Sequence, residues 1–226
     1  RSLVGSDMCI RDRAKDVTDL VSSDQSLVAR LLRLANSALF SRMGQVSTVT
    51  DAIVLLGFKR VRSVVLACGV QDALGNSNHV ALQRAIWRHS YVTAGLSRRL
   101  AEKTGLREPE EAFVAGLLHD VGRAGFLVLC PSEVLACIHD VSEEKPLLQC
   151  EREHLGITHA ELGSRLLMHW NLPLDLCVTA AGHHDPRRGF EFSLLLSIVC
   201  VANEAANRAG QYSGDPYPRS LNWDRL

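Results

Sequence analysis

Apolar residues recur along this chain at spacings of three and four. In Ser26–Leu39 the residues Leu27, Val28, Leu31, Leu32, Leu34 and Ala35 fall on one stripe, which predicts a helix with a single buried face. Asp24 stands where an N-cap is expected. Thr50–Leu56 predicts a short helix stopped at Gly57, and Lys59–Leu74 a longer one stopped at Gly75-Asn76. Val80–Thr104 predicts a long helix ending at Gly105. Pro109 opens another that runs through Leu118 and stops around Gly122, followed by a second apolar run, Ala124–Leu129. Pro131 and Pro146 open two more. Thr158-His159-Ala160-Glu161 has the spacing of a capping box, with Thr158 as N-cap and Glu161 at the third helical position. That helix reaches about Trp170. Pro173 opens one ending at His183-His184-Asp185-Pro186, and Phe192–Arg208 gives the last. Gly210–Leu226 is rich in Gly, Pro and Ser and predicts irregular chain. With no run of period two, the expected fold class is all-α.

Composition narrows the function classes. The 226 residues, 46% hydrophobic and 22% charged, suffice for a substantial core or a pair of packed helical lobes. Lys plus Arg equals Asp plus Glu, at 25 each, so no overall field draws the chain to nucleic acid or to an acidic membrane. The basic residues Arg30, Arg33, Lys59, Arg60 and Arg62 are the one feature favouring a nucleic-acid regulator. They sit in helical patterns and read as solvated faces. Seven cysteines without a C-x-x-C pair fit a reducing cytosol better than a disulfide framework, so a cytoplasmic location is expected. No apolar run is expected to reach the roughly 18 residues that span a bilayer. Ser2–Arg13 reads like translated adapter sequence, and residues 1–13 are expected to be a non-native or disordered segment.

The candidate chemistry lies in the histidines, of which there are nine. His119-Asp120 follows the apolar run Phe113–Leu118, and an imidazole beside a carboxylate at a helix end can turn both groups toward one cation. Nitrogen and oxygen donors of this kind suit Fe, Mn or Zn. His139-Asp140 has the same dipeptide but reads as surface. His89 lies in the middle of a helix, where a satisfied core histidine is the alternative. His159 stands in the first turn of the capped helix. His183-His184 stands at a helix C-terminus, where capping of carbonyls is the alternative. In order, the pattern is His, His-Asp, His, His-His. Such a set can hold one or two divalent ions, which polarise a phosphoryl oxygen. Glu151 and Glu161 read as capping or surface carboxylates, and Trp87 and Trp170 as packing anchors.

Longer motifs carry a resemblance. SLVARLLRLANSALFSRMGQVSTVTDAIVLL (Ser26–Leu56), AIVLLGFKRVRSVVLA, GLLHDVGR, and EREHLGITHAELGSRLLMHWNLP followed by His183-His184 together resemble the HDOD family, relatives of HD-type and HD-GYP phosphohydrolases. The resemblance covers roughly Ala14–Ala209. It implies an HD-domain-like helical domain over residues 14–209, with an N-terminal helical lobe at 14–76, an HD-like lobe at 77–209, and an irregular tail at 210–226. It implies His89, His119, Asp120, His159, His183 and His184 as metal ligands, with Asp120 bridging. If the domain is an enzyme, it implies Asp120 and Arg123 as the catalytic pair, Arg123 binding phosphate. It also implies a role in bacterial signalling, with signalling proteins or fused signalling domains as partners and a phosphate-containing ligand. The alternative is hydrolysis of a cyclic dinucleotide or another phosphoester. The sequence departs from the family pattern where Ala85 replaces an expected glutamate ligand and Asn203 an expected aspartate. The GYP loop is also missing after His184.

Overall fold

The computed structural model describes residue 18 and residues 21–22, 24–36, 46–75, 78–142, 144–185 and 193–212. The expectation for residues 1–13 falls outside that set, and the one for the tail at 210–226 falls outside it beyond Tyr212. Among the described residues every regular element is a helix, as the spacing predicts. The chain divides into two units, one up to Val70 and one from Gln71. The division falls inside a helix, where the sequence placed the border at the turn that follows.

The first unit contains α1 (Gln25–Ala35), α2 (Val49–Leu56) and most of α3 (Phe58–Ala73). Asp24 caps α1 by accepting from the Leu27 N–H at 3.1 Å. One face of α1 buries Leu27, Leu31 and Ala35, which meet Ala52, Ile53 and Leu56 of α2 and Val61 and Cys68 of α3. Asn36 staples the end of α1 to the next segment: its amide donates to the Val46 carbonyl and accepts from the Val46 N–H, each at 2.7 Å. Thr48 caps α2, and Gly57, at φ +78°, ends it in a conformation that a β-carbon would disfavour.

The second unit is built on α4 (Val80–Thr104), which packs mainly on α5 (Pro109–Leu118) and α11 (Leu194–Arg208). Small residues set the α4–α5 distance. A β-carbon on Gly116 would lie 2.6 Å from Ser97 Oγ and 2.9 Å from Ala94 Cα. After α5 the chain breaks at His119-Asp120 and resumes at once as α6 (Val121–Leu129). The expected stop at Gly122 is therefore displaced onto the His-Asp pair. Gly122 is itself helical and buried. Its role is close approach, since a β-carbon there would lie 2.0 Å from the His159 carbonyl oxygen and 2.7 Å from Gly163 N. This crossing sets α6 against α9 (His159–His169) and brings the start of α9 beside Asp120. α7 (Pro131–Asp140) and α8 (Leu147–Leu155) share a small core of Cys137, Val141, Leu147 and Cys150. α10 (Leu174–Gly182) packs on α9 and ends at His183.

Pro109–Leu129, with α5 and α6 taken together, meets the length and hydropathy of a membrane span, which corrects the expectation that no run would. However, 83% of its most apolar window is buried within the protein, and that burial accounts for its apolar character.

Candidate metal centre

Four helix ends and one helix middle converge on a single point in the second unit. Asp120 sits in the break between α5 and α6, 3% exposed. Its two carboxylate oxygens face different partners. Oδ2 lies 3.8 Å from His89 Nε2 and 3.7 Å from His119 Nε2. Oδ1 lies 3.3 Å from His159 Nε2 and 3.3 Å from His183 Nε2. His184 completes the second group, with its Nε2 2.9 Å from that of His159. Donor atoms thus form two groups sharing Asp120: His89, His119 and Asp120, and Asp120, His159, His183 and His184. All the ligand positions expected from the sequence come together. His89, His119, His159 and His183 are buried, while His184 stands exposed at the rim.

The other ring nitrogens explain the orientation. His119 Nδ1 donates to the Gly116 carbonyl at 2.7 Å, and His183 Nδ1 to the Ala180 carbonyl at 2.8 Å. His89 Nδ1 donates to the Gln211 carbonyl. A carbonyl can only accept, so each Nδ1 carries a proton, and each ring, when neutral, turns a bare Nε2 inward. His159 is held differently. Glu151, on α8, accepts from His159 Nδ1 at 2.7 Å and from the His159 backbone N–H at 2.8 Å. Glu151 is 3% exposed, so the sequence reading of it as a cap or surface carboxylate is corrected. Nothing in the pattern around Glu151 distinguishes it from an ordinary helix glutamate; only the α8–α9 turn brings it back onto His159. Glu161, by contrast, forms the expected capping box with Thr158.

Charge and burial compete strongly here. Burial pushes His119 down to about 3 and lowers His89 as well. Burial also opposes ionisation of Asp120, but His119, His159 and His183 outweigh it and hold the carboxyl well below its usual range. Burial opposes charge on His159, yet Glu151 and then Asp120 outweigh it and raise this imidazole to about 9. Arg123, 7% exposed in the first turn of α6, lines a small cavity together with Glu151, Ile86, Phe126 and Cys137. Its charge helps to keep Glu151 ionised. Asn203 of α11 is 7% exposed and within hydrogen-bonding reach of His89. Ala85, one turn before His89, offers no donor.

This donor set fits a divalent cation. His89 Nε2 and His119 Nε2 face each other at 3.3 Å, both kept neutral by burial and both with Nδ1 carrying the proton. Two bare nitrogens at that distance repel unless a cation lies between or beside them. The 2.9 and 3.3 Å separations in the other group match neighbouring ligands around one ion at about 2.0–2.2 Å. Imidazole and carboxylate together suit Fe, Mn or Zn.

Comparison with known proteins matches most of the chain. The HDOD domain family model matches residues 11–186. An HDOD domain protein of unknown function from Geobacter sulfurreducens is 30% identical, with a TM-score of 0.83 over 92% of this chain and 71% of that one. A candidate phosphohydrolase from Shewanella amazonensis SB2B is also 30% identical, with a TM-score of 0.76 over 88% of this chain and 71% of that one. An uncharacterized protein of Treponema pallidum (strain Nichols) is 28% identical over 211 residues, 91% of this chain but 40% of that protein, so the chain spans about two-fifths of that relative's length. With its helices, its motifs and most of its length matched, the chain belongs to the HDOD domain family.

Proposed function

We propose that this HDOD domain is a regulatory signalling module that binds divalent metal at the His-Asp cluster and presents it to a phosphate-containing ligand or a partner protein. The observation that carries this reading is Asp120, whose two oxygens face separate groups of inward-turned imidazoles. His89, His119, Asp120, His159, His183 and His184 would hold the metal, and Glu151 fixes the ring of His159. A cation bound there supplies Lewis-acid polarisation of a phosphoryl oxygen. His184, exposed at the rim, marks the side from which a ligand reaches the cluster. Arg123 is buried and neighbours Glu151 in a small cavity, which favours a role as counter-charge over one as a phosphate clamp. Asn203 beside His89 is neutral, so among the described residues that group has no carboxylate of its own beyond the shared Asp120. This favours binding over efficient turnover. A module of this kind fits within a longer protein such as the Treponema relative.

The second reading is a metal-dependent phosphohydrolase, favoured by the division of donors into two groups and by the similar candidate phosphohydrolase from Shewanella. The two readings separate in one assay. The chain is loaded with Mn, Fe or Zn and offered cyclic dinucleotides and simple phosphoesters, with His119→Ala as control. The regulatory reading predicts ligand binding that requires His119, with turnover no faster than the control. Hydrolysis abolished by His119→Ala would replace it with the hydrolase reading.

A further inference from the structure

The two donor groups around Asp120 are unequal. The group on Oδ1 offers His159, His183 and His184 beside the carboxylate. Among the described residues, the group on Oδ2 offers only His89 and His119. Their support differs as well. His159 donates to the ionised carboxylate of Glu151, which makes its Nε2 a stronger base. His89 and His119 donate only to the carbonyls of Gln211 and Gly116. The polar residue from α11 nearest the weaker group is Asn203. It carries no charge, and its oxygen accepts from Asn207 at 3.3 Å. The adjacent Glu204 is buried but turned to Arg208, at 2.7 Å. Glu151 therefore places a second carboxylate on the His159 side of Asp120, and its charge becomes uncompensated once His159 gives up its proton to a cation.

We infer that the two groups load in order: the Asp120–His159–His183–His184 group takes the first divalent cation, and the His89–His119 group takes a second only at higher metal concentration because Asn203 leaves it short of a donor and a charge. This rests on the metal-centre reading above. At limiting metal the domain would hold a single ion, a state suited to recognition and short of a two-ion clamp on a phosphoryl group.

The test is a calorimetric titration of Mn into the full chain stripped with chelator, repeated for Asn203→Asp, His89→Ala and His184→Ala. Helicity by circular dichroism identifies any variant that fails to fold. The inference predicts two steps separated by at least about tenfold in Kd. It predicts that Asn203→Asp tightens the second step by about tenfold or more and leaves the first nearly unchanged. His184→Ala weakens the first step, and His89→Ala removes only the second. A single step of two equivalents in the wild-type chain overturns the inference. So does an unchanged second step in folded Asn203→Asp, or a weakened first step in folded His89→Ala. Absence of any uptake overturns the metal-centre reading beneath it and is recognisable as such.

Discussion

At the scale of single residues, two histidines perform two tasks with one hydrogen bond. His119 and His183 each close a helix by donating Nδ1–H to the carbonyl three residues back, and that bond fixes the tautomer that turns Nε2 into the cluster. Capping and metal ligation, posed as alternatives for His183-His184 from the sequence, are compatible for His183. Glu151 does the corresponding work for His159 and adds a charge. The sign of its effect can be followed with pH. His159 without metal is held at about 9, above the ordinary imidazole value, so it is charged at neutral pH and must lose its proton to become a ligand. Metal uptake at pH 7.5 therefore releases about one proton from His159, falling to about half at pH ~9 and to almost none above pH ~11. The same raised value means that His159 stabilises the metal-free fold fully below pH ~6.5 and loses that contribution as pH rises through about 9. Glu151→Gln removes the main cause of the shift. Calorimetry in buffers of different ionisation enthalpy should then show less proton release at pH 7.5 and metal affinity lower by about 10–100-fold. Equal proton release and affinity in the folded variant would show that Glu151 does not position His159.

At the scale of elements, the cluster depends on how closely α6 and α9 cross. Gly122 lies against the His159 carbonyl and Gly163 against the Gly122 backbone. Both glycines stand inside the motifs that carry the family resemblance, GLLHDVGR and HAELG, so the sequence contained the contact without disclosing it. Gly122→Ala would set a β-carbon 2.0 Å from a backbone oxygen that cannot rotate away. We expect a cost of about 3 kcal/mol, with a fall in Tm of at least about 6 °C and loss of metal binding. Gly163→Ala, whose β-carbon would meet its nearest atom at 3.2 Å, should cost less. A Gly122→Ala protein as stable as wild type would show that the crossing is looser than described. Helix existence was legible because period, caps and prolines agreed, as at Asp24, Thr158 and Pro109. The break after α5 was read at Gly122 because glycine usually marks a stop. Here tertiary approach, not termination, requires it. Glu151 was missed for a related reason: a carboxylate that reaches back across a turn leaves no local periodic signal.

At the scale of the whole molecule, the site residues were legible as a set. Each histidine alone had a plausible packing role, and only their order along the chain pointed to one centre. The fold supplies what the order could not, namely the shared Asp120 and the inequality of its two sides. The apolar stretch Pro109–Leu129 belongs to the same logic. It is buried because it forms the central wall of the second unit, and it carries His119, Asp120 and Arg123 into that interior. Such polar groups in an apolar wall are costly unless paired or coordinated. The most direct test of the metal-centre account is therefore elemental analysis of untagged protein purified without chelator, beside Asp120→Asn. The account predicts about one to two equivalents of Fe, Mn or Zn in the wild-type chain and near-background metal in the variant, because both donor groups lose their common carboxylate. Metal absent from folded wild-type protein, or equally abundant in Asp120→Asn, would contradict it.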